Sequence, residues 1–395
     1  MITKEFIELI FKSFSIERWN DKLRPTPLIQ IDKHCHKMII AYVLAKYEED
    51  NGRQIDWMAI IKGGIYEFLR RIVISDIQSP VFRELSKNSK LVQKLNLMIY
   101  NEVESSINNE EIKVEFKKYL LEENYIPEFE TRILNAAHRY SSYWEFQIIR
   151  DANPNGYQIR DIEIELGRDL FSYSDLIGIN KLLKKQNIKN FVDLCGELRY
   201  QVRWGHLPRI PKTSVLGHVM LVATLSYFVT KELDNACNKR IYNNFFGGLF
   251  HDLPEALTRD IIKPVKMSVP GMQEEIRRIE KQLTEAEIYP NLEQNWLDEI
   301  KFFTQSEFST KILNGQVVQP DEINLKYNAD KFNPYDGTLL KGIDDFAAFL
   351  EAWSSIEYGI RSDELETAKK SIKLNYKDKI VSGFNYNMLF ENFKL

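Results

Sequence analysis

Apolar residues recur along this chain at i, i+3, i+4 and i+7 rather than alternating. The stretches HKMIIAYVLAKYEE (36–49) and GHVMLVATLSYFVTKEL (217–233) show this most clearly. The spacing predicts amphipathic helices, each with an apolar stripe facing a core. The opening residues, MITKEFIELIFKSFSIERW, predict another amphipathic helix. Acidic residues stand early in it and no long apolar centre follows, unlike a secretory signal. Period-two runs bounded by turn residues are few. Gly (17) and Pro (13) are scarce for 395 residues, so little interrupts the helices. The pattern predicts an all-α protein made of helical bundles, and the length suits two domains better than one.

One segment is written twice. GGIYEFLRRIVISDIQSPVF (63–82) and GGLFHDLPEALTRDIIKPVK (247–266) match at both glycines and at Leu69/Leu253, Asp76/Asp260, Ile77/Ile261, Pro80/Pro264 and Val81/Val265. Roughly one match is expected by chance from average residue usage, and amphipathicity alone does not demand Gly, Pro and Asp. Upstream, ERWNDKLRPTPLIQIDKHCH (17–36) faces VRWGHLPRIPKTSVLGH (202–218). Downstream, NAAHRYSSYWE (135–145) faces YNADKFNPYDG (327–337). The chain therefore reads as two tandem copies, residues 1–190 and 195–395. LLKKQNIKN (182–190) serves as the junction or as a solvated helix end. On this alignment His36 faces His218, Glu67 and Phe68 face His251 and Asp252, Arg71 faces Glu255, and His138 faces Asp330.

Composition narrows the function. The chain is 44% hydrophobic with 23 Phe and 19 Tyr, ample for buried cores and unlike a disordered chain. A net charge of −4 gives no footprint for a nucleic-acid polymer, while leaving room for a pocket that takes one phosphate. Cys35, Cys195 and Cys237 are scattered, which fits a reducing compartment. The longest apolar runs, such as VMLVATLSYFV (219–229), are too short to span a bilayer. The expectation is a cytoplasmic protein with no membrane partner.

The second copy carries four candidate metal ligands in order: His218, His251, Asp252 and Asp330. Imidazole with carboxylate suits Mn, Co, Fe, Ni, Zn or Mg, and such an ion acidifies water and polarises a phosphoryl oxygen. Neighbouring helical side chains diverge by about 100°. His251 and Asp252 can thus share an ion only if it sits close to the backbone, between helices. Taken singly, a His that opens a helix is ordinarily a cap, and a His-Asp dipeptide is common; the signal is the ordered set.

HDLPEALTRDIIKPVK (251–266) resembles the His-Asp motif of the HD-domain metal-dependent phosphohydrolases, and within them that of the bacterial deoxyribonucleoside 5'-monophosphatases. Arg203-Trp204 and NADKF (328–332) are similar to two further motifs of that subgroup. The resemblance covers about 200–350. It implies that His218, His251, Asp252 and Asp330 bind a divalent metal. It also implies that Glu255, four residues beyond His251 and on the same helical face, moves a proton at the reacting group, with Asp252 as its catalytic neighbour. Arg203 would fork onto the phosphate and Trp204 would pack on the sugar. Asp260 would take a sugar hydroxyl, and Lys263 and Lys266 would add positive charge.

The sequence departs from that pattern in RDIIKP (259–264), in Gly217 before the first His, and in Pro334 and YDGTLLKG beyond Asp330. Phe68 and Arg71 leave the first copy without the ligand set, so it reads as a degenerate HD-like bundle; His36, Glu67 and His138 form an alternative two-His-one-carboxylate set there. The leading expectation is hydrolysis of a (deoxy)nucleoside 5'-monophosphate by metal-activated water. The alternatives are another nucleotide phosphohydrolase (diesterase or triphosphohydrolase) and a non-catalytic nucleotide-binding module. The family's habit of self-association implies a homodimer, or a monomer whose two copies form an internal pseudo-dimer.

Overall fold

The computed structural model describes residues 2–75, 77, 79–184, 186–259, 261 and 269–393. It divides into two compact units, Met1–Asn180 and Lys181–Leu395. Both are helical. The strands among the described residues are three antiparallel pairs of two residues each: Glu17–Arg18 with Leu28–Ile29, Thr310–Lys311 with Tyr335–Asp336, and Ile380–Val381 with Phe384–Asn385. The helix Asn187–Glu197 lies wholly in the second unit, which therefore starts ahead of residue 195. That helix buries Ile188, Phe191, Val192 and Cys195. Asn187 and Asn190 bond to Pro290 and Asn291, so the stretch is packed and not a linker.

The first unit is built on three helices, α1 (Gln30–Asp50), α2 (Trp57–Ile74) and α3 (Glu128–Ala152), which all pack on one another. Its opening helix, Lys4–Phe11, is capped by Thr3, whose hydroxyl accepts from the Phe6 amide, and it buries Phe6, Ile7, Leu9, Ile10 and Phe11. The second unit repeats the plan with α4 (Val215–Lys231), α5 (Asn238–Phe250), the single-turn α6 (Glu255–Thr258) and α7 (Gly337–Glu357).

The helices predicted at 36–49 and 217–233 form, yet neither keeps a polar face. α1 is buried from Gln30 to Ala45 and α4 from Val215 to Thr230. Each is the central helix of its bundle, enclosed on all sides, so even polar residues such as Lys33 and His218 lie inside.

The paired glycines explain how closely the central helix is approached. A Cβ on Gly248 would stand 2.8 Å from the Ala223 Cα of α4, inside van der Waals contact with backbone that cannot yield. In the first unit a Cβ on Gly64 would meet the Met38 side chain of α1. α5 is also fixed to the start of α7. Arg240 donates from Nε to Asp336 Oδ2 (2.6 Å) and from a terminal nitrogen to Oδ1 (3.0 Å), and Asn244 bonds to the same residue. This fully buried bidentate pair sets the register between the helix that leads into His251 and the helix that follows Asp336.

Candidate metal centre

His218 occupies the first turn of α4, which Ser214 caps by accepting from the Gly217 amide (2.9 Å). His251 follows α5 directly. There the chain tightens: Leu253 N–H bonds to Phe250 O (3.0 Å) and Glu255 N–H to Asp252 O (3.0 Å). Pro254, with no N–H to give, cannot continue an α-helix through this point. The turn, and not a helical face, brings adjacent side chains together, with His251 Nε2 3.2 Å from Asp252 Oδ2. The shared face expected for His251 and Glu255 is therefore not formed. α5 ends at Phe250, and Glu255 opens α6, three residues past Asp252 and half-buried.

Ligand atoms of His218, His251 and Asp252 all lie within 4.8 Å of one another. The carboxylate that stands beside this group is not that of Asp330 but that of Asp344 of α7. Asp344 Oδ1 is 2.9 Å from His218 Nε2 and 3.9 Å from His251 Nε2. Asp330 is exposed on a short turn, where its carboxylate accepts from the Lys239 amide at the start of α5 (2.8 Å). The NAD stretch sits before the α7 helix, and only a residue inside that helix reaches the bundle interior. The interruption at Pro334 and YDG is the strand Tyr335–Asp336, which leads directly into α7 at Gly337.

The donor set fits a divalent cation: two imidazoles and two carboxylates converge in a largely buried pocket. His251 Nδ1 is held by the Gly248 carbonyl at 2.9 Å, which aims Nε2 inward, where it has no hydrogen-bond partner. His218 presents Nδ1 to Glu351 (3.5 Å) and Nε2 to the carboxylates. Both histidines thus turn Nε2 to the centre, and the Nδ1 of His251 is braced from behind.

The electrostatics agree. Burial pushes the His251 imidazole down, but Asp252 and Asp344 outweigh it and raise His251 to about 9. Burial likewise opposes the Asp252 charge, yet His251 beside it brings that carboxyl down to about 2. Asp344 is held well below the carboxylate range against burial, by Lys341 and both histidines. Without a metal, the centre compensates its carboxylates with protons.

Arg203 and Trp204 form the rim. Arg203 Nε donates to both oxygens of the fully buried Glu351 (3.2 and 3.3 Å), and Trp204 Nε1 donates to Oε2 (2.8 Å). A terminal nitrogen of Arg203 lies 3.8 Å from Asp252 Oδ2. The guanidinium thus borders the centre with its outer edge, while Glu351 fixes its inner edge. Burial works against the Glu351 charge, but Arg203, His218 and Arg209 keep its carboxyl low. Glu351 and Asp344 escaped the sequence reading. The signal that finds them is a seven-residue interval, His138 to Glu145 in one copy and Asp344 to Glu351 in the other. Asp260, Lys263 and Lys266 lie outside the described residues.

The first unit holds the matching positions. Lys33 stands fifteen residues after Arg18 as His218 does after Arg203. Trp19 and Trp204 share a positive φ of 54° and 56°. Glu145 accepts from Arg18 Nε (3.2 Å) and Trp19 Nε1 (3.0 Å), as Glu351 does from Arg203 and Trp204. Lys33, not His36, is therefore the counterpart of His218. His36 is buried edge-on against Trp144 at 4.9 Å. His138 matches Asp344, and Phe68 stacks on His34 at 4.8 Å. Among the described residues, the side-chain group close enough to share a metal is the one in the second unit.

The family comparisons address each unit. An HD domain model matches residues 195–373. A model described as 5'-deoxynucleotidase YfbR-like matches residues 5–161. The chain belongs to the HD-domain superfamily. It is a metal-dependent phosphohydrolase of that superfamily, all-α, with two tandem HD-type domains. The deoxynucleotidase model falls on the first copy, the one without the His-Asp pair. No curated protein matches the chain. Among the described residues no helix is long and apolar enough to cross a membrane.

Proposed function

We propose that the second unit hydrolyses a (deoxy)nucleoside 5'-monophosphate to nucleoside and phosphate. The observation that carries this reading is the convergence of His218, His251, Asp252 and Asp344 beside the outer edge of Arg203. One centre then addresses two sides of a single phosphate. A divalent ion bound by those four residues supplies Lewis acidity and lowers the pKa of water.

The chain's own groups do the rest. Arg203, braced by Glu351, presents donors to the non-bridging phosphate oxygens, as its fork geometry favours. Trp204, fixed through Nε1, offers its ring to the sugar. Glu255, half-buried just beyond Asp252, takes a proton from the attacking water or returns one to the leaving 5'-oxygen. Asp344 and Asp252 hold negative charge that orients both imidazoles. Cys35 and Cys195 are buried and no disulfide joins the described cysteines, which suits a reducing compartment and a working location in the cytoplasm.

The test is phosphate release by the purified chain with Mn, Co or Mg on a panel of nucleotides. Asp252→Asn is expected to lose both metal and turnover. Glu255→Gln is expected to keep the metal and lose about 10²–10⁴-fold in kcat. Full turnover in Asp252→Asn overturns the site. Release of pyrophosphate, or cleavage of diesters alone, moves the reading to another phosphohydrolase class.

A further inference from the structure

The two oxygens of Asp344 face different neighbours. Oδ1 turns inward, 2.9 Å from His218 Nε2 and 3.9 Å from His251 Nε2. Oδ2 accepts from Lys341 Nζ at 2.7 Å. The contact follows from spacing, since Lys341 lies one helical turn before Asp344 and Asp345 on α7.

Lys341 is also held by two further partners. Its Nζ lies 2.9 Å from Asp345 Oδ1, and Asp345 Oδ2 accepts from the Tyr376 hydroxyl at 2.6 Å. Tyr376 is buried and follows the helix Asp363–Asn375. A second element thus fixes Asp345 and, through it, the ammonium. The other partner is Phe308, whose ring centroid stands 4.7 Å from Nζ. The same ring lies 5.8 Å from that of His251. The Lys341 side chain is 42% exposed against 14% for Asp344, so Lys341 stands at the outer margin of the centre.

A half-exposed lysine paired one turn away on its own helix ordinarily contributes little. Here the paired carboxylate is a member of the donor set, and a carboxylate can give an ion one oxygen or both. An oxygen that accepts from an ammonium is drawn away from a second bond to the ion. The first unit lacks this arrangement together with the ligand set. In the register that sets His138 against Asp344, Asn135 stands against Lys341 and Arg139 against Asp345.

We propose that Lys341 is a positioning residue of the metal centre: it occupies Oδ2, confines Asp344 to ligation through Oδ1, and so leaves a place for water. Asp345 and Tyr376 hold the lysine in that position. Its positive charge also repels a cation at the centre, so Lys341 lowers metal affinity while it keeps the centre open. This inference rests on the hydrolytic reading of the site, since hydrolysis is what requires the water.

The experiment uses the full chain with Mn as the probe and Asp252→Asn as background. Calorimetry reads metal affinity, and the relaxation of bulk water protons reads how much water the bound Mn carries. Lys341→Met is expected to bind Mn more tightly than the wild type and to show a smaller relaxation enhancement. Its kcat for phosphate release from deoxyadenosine 5'-monophosphate should fall by about 10–100-fold, with KM nearly unchanged. Lys341→Arg keeps a donor for Oδ2 and should restore both the relaxation signal and most of kcat. A lysine that only supports the fold would give weaker Mn binding, an unchanged relaxation signal and a lower melting temperature of the metal-free chain; that result overturns the inference. Wild-type turnover with Mn binding unchanged or weakened in Lys341→Met defeats only this inference. Tighter Mn carrying less water in Lys341→Met, with no turnover by the wild type, defeats only the proposed function. A wild type that binds no more Mn than Asp252→Asn overturns both.

Discussion

At the scale of single residues, Asp344 and Asp330 are the sharpest pair. Both are aspartates near the end of the ordered set, and only Asp344 points at His218. Asp344→Asn is expected to remove most bound metal and turnover. Asp330→Asn keeps an oxygen for the Lys239 amide and should change stability by no more than about 0.5 kcal/mol. Metal analysis of the two variants side by side checks this, and metal loss in Asp330→Asn alone would reverse the assignment.

Protonation gives a second residue-scale prediction. His251 is raised to about 9, so near neutral pH the metal-free centre holds a proton there that a cation must displace. Metal affinity should rise with pH up to about 9 and flatten above it. Calorimetric titrations in buffers of different ionisation enthalpy should reveal proton release at pH 7. A pH-independent affinity between 6 and 9 would contradict it.

At the scale of elements, the decisive contact is α5 on α4. Gly248 lets the two backbones approach, and His251 lies three residues further along, with its Nδ1 on the Gly248 carbonyl. Gly248→Ala forces the helices apart and should cost about 1–3 kcal/mol, read as a lowered melting temperature. It should also weaken metal binding, because the His251 brace moves with the backbone. The same substitution at Gly64 meets only the flexible Met38 side chain and should be milder.

At the scale of the whole molecule, the two units are one plan carrying opposite charge. Metal content of the purified chain should be one ion per chain. Asp252→Asn should abolish it and Glu67→Gln should leave it unchanged. Two ions per chain would restore a metal site to the first unit. Each unit is recognised by its own family model.

Much of this was legible in the chain. Helical periodicity, scarce Gly and Pro and the duplicated GG segment sufficed for the fold class, the tandem copies and the loss of the His-Asp pair from the first. The clustering of His218, His251 and Asp252 was readable because they sit inside or beside strongly patterned helices, where local sequence dictates local structure. The fourth position was not. NAAH and NADK look alike as strings, but one lies in a helix and the other in a turn ahead of a helix. The correspondence of His138 with Asp344 is hidden because the chain between the duplicated GG segment and the last helix differs in length between the copies. Which carboxylate meets His218, and which side chain meets His138, is decided by residues more than 90 positions apart coming together at one point. No local pattern encodes that meeting; packing of the bundle does.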